Sequence, residues 1–291
     1  MKIVLMNGGL GNQLFQYAFY RYIEKHTNDI CYIDDSAFYG KNVEHNGFEI
    51  EKIFGIKCDY LLSRFFDKEI WDVMIAQKEA GISIPQQMLN NGLDIAIIAE
   101  MSDFNFDGEV LKVEKINDLL IERNIYYHGY WITNSWFLEV KDELLHELIF
   151  PAIIDNENKI KLNYILEKNS IALHVRRGDF VNLKRTLENN YYVEAIKALE
   201  NKILDGFYFI FSDDINWCME HQKELGLEQI KDKYVFFQGN TGEKAYVDMQ
   251  LMANCKHMIL ANSSFSSFAS LLNRNDDKII VIPDMKNRGS I

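Results

Sequence analysis

The chain has 291 residues, of which 48% are hydrophobic and 25% are charged, and this composition excludes a long disordered protein. Its 43 acidic and 31 basic residues give a net charge of −12, which argues against nucleic-acid binding, because that binding depends on Lys and Arg neutralising phosphates. The apolar run Lys2–Met6 is too short for the hydrophobic region of a signal peptide, and no run approaches the roughly 18 apolar residues of a membrane span. We therefore expect a cytoplasmic protein without a transmembrane segment, either free or peripheral to the inner membrane.

The chain begins with the pattern of a βαβ unit. The apolar run Lys2–Met6 predicts a buried strand that ends at a turn-rich loop, residues 7–12. Apolar residues at helical spacing follow over residues 14–23, and Ile30–Ile33 predicts a second strand. The other elements predicted in the first half are helical structure over about Tyr60–Gln87, a strand over Ile125–Trp131 and a helix over Thr133–Leu148.

A domain boundary is expected near residue 150. Pro151 follows the last of these elements, and a polar stretch, Asp155–Asn158, follows the proline. Proline and polar residues between periodic segments are typical of a linker, and the length suggests about two domains. We therefore predict domains at 1–150 and 151–291.

Short strands alternate with helices in the second half. The predicted strands are Ile171–Val175, Phe207–Phe211, Tyr234–Phe237, Met258–Ala261 and Ile279–Ile282. The predicted helices are Tyr191–Leu204, one from about Asn216, Ala245–Asn254 and Ser264–Leu272. This alternation predicts an α/β fold with a parallel sheet covered by helices on both faces. Two Rossmann-like halves with a ligand between them are the simplest architecture.

The glycine-rich loop GGLGNQ, residues 8–13, is the first candidate site. It lies between a strand and a helix, where backbone N–H groups can hold an anion. It is not a dinucleotide fingerprint, because Leu14 stands where the third glycine is required, so an NAD enzyme is not favoured. By itself the motif is equally compatible with a tight turn.

The motif HVRRGD, residues 174–179, is a stronger candidate, because it follows the strand Ile171–Val175 and ligands bind beyond the carboxyl ends of such strands. Two adjacent arginines must be compensated when they are buried. Asp179 can pair with one, and an anionic ligand can take the other, since guanidinium groups bind phosphate bidentately. The alternatives are a structural Arg–Asp pair and, for His174 alone, a core histidine.

Two further groups of polar residues lie at predicted strand ends or helix starts. Ser263 and Ser264 can cap the helix that follows, hold a phosphate, or do both. The carboxylates of Asp213 and Asp248 could accept the N–H groups of a guanine edge, although each could instead be a helix cap or a solvated acid.

No metal site is expected. The chain contains no D-x-D pattern, which argues against a carboxylate clamp for a nucleotide-bound divalent ion. Its four cysteines have no zinc-binding spacing.

Taken together, these motifs resemble the bacterial α-1,2-fucosyltransferase family, which is glycosyltransferase family 11. The segments that carry the resemblance are GLGNQ (9–13), GYW (129–131), HVRRGD (174–179), YY (191–192), FSDD (211–214), Asp248, CKH (255–257) and ANSSFS (261–266). The HxRRGD motif also occurs in α-1,6- and protein O-fucosyltransferases, and its combination with the serine-rich run points to the α-1,2 family.

The resemblance implies a GT-B fold of two Rossmann-like domains that face a central cleft. Residues 1–150 would be the acceptor-side domain and residues 151–291 the GDP-sugar-binding domain. The implied reaction is inverting transfer of fucose from GDP-β-L-fucose to the 2-hydroxyl of a terminal galactose, without a metal or other cofactor. The acceptor would be an oligosaccharide or a lipid-linked glycan of an O-antigen or another surface glycan.

The resemblance also implies roles for individual residues. Arg176 would hold the donor phosphates during catalysis, Asp248 would contact guanine, and Ser264 would contact the phosphates. We assign Asp179, a second candidate catalytic residue, to orienting an arginine rather than to removing the acceptor proton. The other residues expected to bind the donor are Gly9, Gly11, Asn12, His174, Arg177, Asp213 and Ser263.

The sequence departs from the family where two tryptophans usually follow the serine-rich run, because Ser267 and Phe268 stand there instead. The loss of aromatic area bears on acceptor preference. The alternatives are a fucosyltransferase of another linkage, an enzyme that uses another GDP-sugar, and a non-catalytic glycan-binding protein. The presence of Arg176, Asp179 and Ser264 argues against the last of these.

Overall fold

The computed structural model describes residues 1–100 and 106–284, and the chain divides into two compact units, Met1–Ile149 and Phe150–Ile291. Each unit contains one five-stranded sheet in which every pair of neighbouring strands is parallel. The predicted α/β class is therefore confirmed. In the described part of the chain, no helix is long and apolar enough to cross a membrane.

The sheet of the first unit has the order β2-β1-β5-β3-β4. Its strands are β1 (Lys2–Leu5), β2 (Cys31–Asp34), β3 (Ala96–Ala99), β4 (Val110–Leu111) and β5 (Ile125–His128). Its helices are α1 (Leu10–His26), α2 (Glu49–Phe54), α3 (Leu62–Phe65), α4 (Lys68–Glu79), α5 (Ile84–Asn90), α6 (Asn134–Glu139) and α7 (Lys141–Glu147). Short 3₁₀ turns occur at Ser36–Phe38 and Ile116–Leu120.

The sheet of the second unit has the order β10-β9-β6-β7-β8. Its strands are β6 (Asn169–Val175), β7 (Gly206–Ser212), β8 (Tyr234–Phe236), β9 (His257–Ile259) and β10 (Ile280–Val281). Its helices are α8 (Asn156–Glu167), α9 (Gly178–Asn182), α10 (Asn189–Glu200), α11 (Ile215–Glu220), α12 (Ala245–Ala253) and α13 (Ser264–Leu272). Short 3₁₀ turns occur at Leu227–Gln229 and Gly242–Lys244. The longest strands, β6 and β7, are neighbours inside this sheet. Because they are parallel, the residues that follow each of them lie side by side at the carboxyl end of the sheet.

The structure corrects several predicted boundaries. Helix α1 begins at Leu10, so Gly11 and Asn12 belong to its first turn rather than to the loop. The reason is Gly8, whose φ of 75° lets the chain turn directly out of β1, a conformation that glycine adopts without steric cost. The helix predicted over Thr133–Leu148 is divided into α6 and α7 at Val140.

Apart from the two-residue strand β4 and the short 3₁₀ turns, the sequence prediction missed four elements: α2, β3, α8 and α9. The apolar run of β3 is only four residues long, and periodicity cannot assign so short a run. The polar stretch expected as a linker instead starts α8, because the carboxylate of Asp155 accepts a 2.8 Å hydrogen bond from the Asn158 N–H. An aspartate at this position satisfies an otherwise unpaired helix N–H.

Candidate functional site

Polar residues collect at the carboxyl edge of the second sheet, where three neighbouring strands end. In the register of β6 and β7, Val175 pairs with Ser212, so the segments that begin at Arg176 and Asp213 leave the sheet side by side. Strand β9 pairs with the other side of β6 and leads into Ser263. The geometry therefore brings HVRRGD next to FSDD, two motifs about 35 residues apart in sequence.

Arg176 is held by two carboxylates. Its Nη2 lies 2.5 Å from Asp179 Oδ1, and its Nη1 lies 2.8 Å from Asp213 Oδ2. The guanidinium carbon also lies 5.2 Å from the centre of the Phe180 ring. Its Nε is buried and has no hydrogen-bond partner in the described residues. The structural Arg–Asp pair that the sequence allowed is thus present, and Asp179 is placed to orient Arg176.

Arg177 is arranged differently. Its Nε lies 3.5 Å from Asp214 Oδ2, and its guanidinium carbon lies 3.5 Å from the centre of the Trp217 ring. Its backbone N–H donates to Asp213 Oδ1 at 2.8 Å, so the two oxygens of Asp213 hold both arginine residues. Gly178 leaves room for this carboxylate, because a Cβ there would overlap Asp213 Oδ2.

His174 is a buried, neutral histidine. The centres of the His174 and Phe265 rings lie 6.1 Å apart in the second unit. The Nδ1 atom of His174 is buried and has no hydrogen-bond partner among the described residues. Burial, assisted by the positive charge of Arg176, lowers the pKa of His174 from 6.5 to about 3. It can therefore offer a neutral ring to a ligand at physiological pH.

We expect His174 to make the protein less stable in acid. Unfolded His174 binds a proton below pH 6.5, whereas the folded ring stays neutral down to about pH 3. The contribution of His174 to the free energy of unfolding is therefore fully present above pH 6.5. It is lost as the pH falls from 6.5 towards 3, by about 1.4 kcal/mol per pH unit. Urea unfolding at pH 7 and pH 5 should show a loss about 2 kcal/mol smaller in His174→Gln than in wild type. Equal losses in both proteins would contradict the assignment.

Ser263 and Ser264 lie at the start of α13. Ser263 is the N-cap, and its hydroxyl accepts a hydrogen bond from the Phe265 N–H at 3.3 Å, which is the capping role that the sequence allowed. Ser264 is the first residue of the helix. Phosphate contact by either serine stays a prediction. Further along α13, Phe268 is fully buried, so this departure from the family pattern supplies an aromatic ring to the core.

Asp248 lies in the first turn of α12 and is hydrogen-bonded to two asparagines in series, Asn240 and then Asn158, which we call the amide chain. The Asn240 Nδ2 donates to Asp248 Oδ1 at 2.7 Å, and the side chains of Asn240 and Asn158 exchange hydrogen bonds of 2.9 and 3.0 Å. Burial raises the pKa of Asp248 to about 6, while the Asn240 hydrogen bond and the charge of Lys161 oppose that rise. Asp248 is therefore neither the cap of α12 nor a fully solvated acid.

The glycine-rich loop lies in the first unit, and carboxylates of that unit occupy its backbone N–H groups. The Gly8 N–H donates to Glu44 Oε2 at 2.6 Å. The carboxyl of Glu49 is buried, which raises its pKa, and hydrogen bonds from Asn46 and the Leu10 N–H oppose the rise. Donor contact by Gly9, Gly11 and Asn12 stays a prediction, and a ligand anion would compete there with Glu44 and Glu49.

The sequence analysis missed two residues of this site, Trp217 and Asn240. Trp217 lies three residues after Asp214, which caps α11 and accepts from the Trp217 N–H at 3.2 Å. That spacing is a signal for a cap, but only the folded chain brings the ring over Arg177. In residues 1–100 and 106–284, no group of three or more His, Cys, Asp or Glu side chains is arranged to hold a metal.

The chain is similar to known glycosyltransferases over nearly its whole length. The model of glycosyl transferase family 11 matches residues 1–289. An alpha-1,2-colitosyltransferase of Escherichia coli is 30% identical over 294 residues, which cover 97% of this chain and 92% of the relative. The O-antigen biosynthesis glycosyltransferase WbnK of Escherichia coli is 25% identical, with 96% of this chain and 92% of the relative covered.

The likeness to solved structures concerns the fold. The fucosyltransferase NodZ from Bradyrhizobium superposes with a TM-score of 0.54 at 14% identity, over 99% of this chain and 96% of that chain. A structure of NodZ alpha-1,6-fucosyltransferase soaked with GDP-fucose gives a TM-score of 0.52 at 15% identity, with the same coverage. The predicted GT-B type of α/β fold is therefore confirmed.

Proposed function

Because the chain belongs to glycosyl transferase family 11, we propose that it is an inverting enzyme that transfers L-fucose from GDP-β-L-fucose to the 2-hydroxyl of a terminal galactose in a glycan. The observation that carries the proposal is the pair of arginines held by Asp179, Asp213 and Asp214 beyond the end of β6. Paired guanidinium groups at a strand end suit a diphosphate. The acceptor would be an oligosaccharide or a lipid-linked glycan.

The chemistry needs positive charge at the departing phosphate. The acceptor oxygen forms a bond to the anomeric carbon as the bond from that carbon to the phosphate oxygen breaks, and the electron pair stays on GDP. Fixed cationic groups at that oxygen lower the barrier most, and Arg176 and Arg177 would supply them, with Ser263 and Ser264 donating from the start of α13. The acceptor proton goes to a carboxylate or histidine base. Asp179 is engaged with Arg176, which supports its orienting role.

A direct test combines ligand binding with product analysis. We expect GDP and GDP-fucose, but neither UDP nor NAD, to raise the melting temperature, because a ligand bound only by the folded protein stabilises it. An array of galactose-terminated glycans, with 2-deoxygalactose versions as controls, should then reveal an α-1,2-linked product. Binding of GDP-fucose without transfer to any acceptor would favour the glycan-binding alternative, and transfer to the 2-deoxy acceptors would exclude this linkage.

Colitosyl transfer is the second candidate function, because the 30% identical relative is a colitosyltransferase. Colitose is L-fucose without the 3-hydroxyl. A site that hydrogen-bonds this hydroxyl rejects the deoxy sugar by about 10⁴-fold, whereas a site without such contacts accepts both sugars. Comparing kcat/KM for GDP-fucose and GDP-colitose on one acceptor decides the matter. A higher value for GDP-colitose would replace fucose in the proposal.

We predict that the reaction needs no metal. The chain has no D-x-D carboxylate clamp for a nucleotide-bound divalent ion, and Arg176 would stabilise the departing phosphate in place of a metal. GDP should raise the melting temperature equally with and without Mg²⁺, and EDTA should leave the turnover rate unchanged. Recovery of turnover only after Mg²⁺ or Mn²⁺ is added back would contradict this prediction.

We predict that Asp248 selects guanine. Its carboxylate can accept the two adjacent N–H groups of a guanine edge, which adenine and uracil cannot match. Asp248→Ala should therefore weaken GDP binding more than ADP or UDP binding, by about 10-fold, the effect of losing hydrogen bonds to a charged group. Because burial raises the pKa of Asp248 to about 6, GDP affinity in wild type should also fall as the pH drops through 6.

The matched control for this prediction is Asp155→Ala. The carboxylate of Asp155 holds Asn158, the far end of the same amide chain, at 2.8 Å from its backbone N–H. This variant should lower stability through the lost cap of α8 but keep the GDP-to-UDP affinity ratio. If Asp248→Ala also keeps that ratio, the carboxylate has only the structural role of anchoring Asn240.

A further inference from the structure

The second unit contains a stack of three side chains, Arg177, Trp217 and His221, which we call the Arg–Trp–His stack. The Arg177 guanidinium carbon lies 3.5 Å from the centre of the Trp217 ring. The His221 ring is nearly parallel to the Trp217 ring, with 4.2 Å between ring centres and 15° between planes. At these separations two groups cannot share one face of the indole, so Arg177 and His221 lie on opposite faces.

The hydrogen bonding of Arg177 is unusually sparse. Its Nε lies 3.5 Å from Asp214 Oδ2, which is longer than a normal hydrogen bond, and over the residues that the structure describes its two Nη atoms bond to no protein acceptor. In Arg176 both Nη atoms are already occupied by carboxylates. Arg177 is therefore fixed mainly through its face, and its terminal nitrogens remain available to a ligand.

Trp217 itself is anchored by further contacts besides the one with Arg177. Its indole packs against the hydrophobic core of the second unit, and its backbone N–H donates to the capping carboxylate Asp214. His221 covers the other face, and its Nδ1–H donates to the Trp217 carbonyl oxygen at 2.8 Å. The indole is thus a rigid plane, and a guanidinium stacked on a rigid plane keeps its N–H groups directed along that plane.

We propose that Trp217 is a positioning residue for the donor: it fixes the guanidinium plane of Arg177 so that Nη1 and Nη2 face the diphosphate. Trp217 acts through Arg177 and does not touch the ligand. The inference rests on the proposed GDP-sugar function, because it needs a diphosphate at the end of β6. It explains why a tryptophan occupies a half-buried position beside the site, where core packing alone would accept an aliphatic side chain.

A double-mutant cycle measured by GDP titration calorimetry tests the proposal. Trp217→Leu should weaken GDP binding by about 10-fold, whereas Trp217→Phe, which keeps an aromatic face, should weaken it by about threefold or less. Arg177→Met should weaken GDP binding by at least as much as Trp217→Leu. In the Arg177→Met background, Trp217→Leu should cause no further loss, because the side chain through which it acts is gone.

The double-mutant cycle separates a positioning role of Trp217 from a purely structural one. If Trp217 has a purely structural role, Trp217→Leu will weaken GDP binding equally in the wild-type and Arg177→Met backgrounds, and such additivity would overturn the proposal. A Trp217→Phe variant that binds GDP as weakly as Trp217→Leu would also overturn it. If wild type binds inorganic pyrophosphate but not GDP, the proposed donor is wrong and the same cycle with pyrophosphate still tests Trp217. If wild type binds neither probe, the positioning role is refuted with the donor.

Discussion

Replacing Arg176 by lysine is expected to leave the fold intact and to lower kcat by about 10²-fold or more, by analogy with removing one fixed donor at a developing charge. Lysine keeps the charge but loses the planar fork. The planar guanidinium of Arg176 contacts two carboxylates at once, Asp179 at 2.5 Å through Nη2 and Asp213 at 2.8 Å through Nη1. The single ammonium group of lysine cannot reproduce both contacts in this geometry. Loss of kcat beyond any rise in KM would show that Arg176 acts in the transition state.

The competing explanation is that Arg176 is only a structural ion pair. It predicts that Arg176→Lys melts several degrees lower, that Asp179→Asn causes a similar drop, and that the folded mutants turn over at near the wild-type rate. Steady-state kinetics and thermal unfolding of both variants decide between the two explanations. Arg185→Lys is the matched control, because this arginine is exposed and nine residues away in sequence, and it should change neither quantity.

Replacing Gly178 by alanine is expected to weaken GDP binding by about 10-fold or more and to lower the melting temperature. Gly178 is the first residue of α9, where alanine is the better helix former, so the backbone itself gains at most about 1 kcal/mol from the change. The added Cβ, however, would overlap Asp213 Oδ2 and lie 3.2 Å from its Cγ. Asp213 would have to leave Arg176 and the Arg177 N–H, and each lost bond to a charged group is worth about 1.5–3 kcal/mol.

A second variant tests whether the collision with Asp213 is the cause. Asp213→Ala removes the carboxylate, so Gly178→Ala should cost nothing more when it is added to that variant. GDP affinities of the wild type, the two single variants and the double variant give the coupling directly. If the losses from Gly178→Ala and Asp213→Ala simply add, the glycine is needed for another reason, such as close approach of the ligand.

The alternation of short apolar runs with helical segments was enough to predict the second sheet. Apolar runs of four to seven residues bounded by turn residues are buried on both faces in a parallel sheet, and β6 and β7 lie within two residues of their predicted bounds. The prediction was weaker in the first unit, where β3 was missed and one predicted helix proved to be two. Short runs there become strands only through pairing with β5, a contact that local sequence does not encode.

Residue order and local periodicity were sufficient to identify the family, the α/β class and the position of HVRRGD at the end of a strand. They could not show which side chains meet at that strand end, because those contacts form only in the folded chain. The tertiary structure showed that Asp213 joins Arg176 to the Arg177 backbone, that Trp217 lies over Arg177, and that Asp248 is tied to Asn240. The physical reason is that parallel strands bring distant segments to one edge, and the partner of each charge depends on strand order and register.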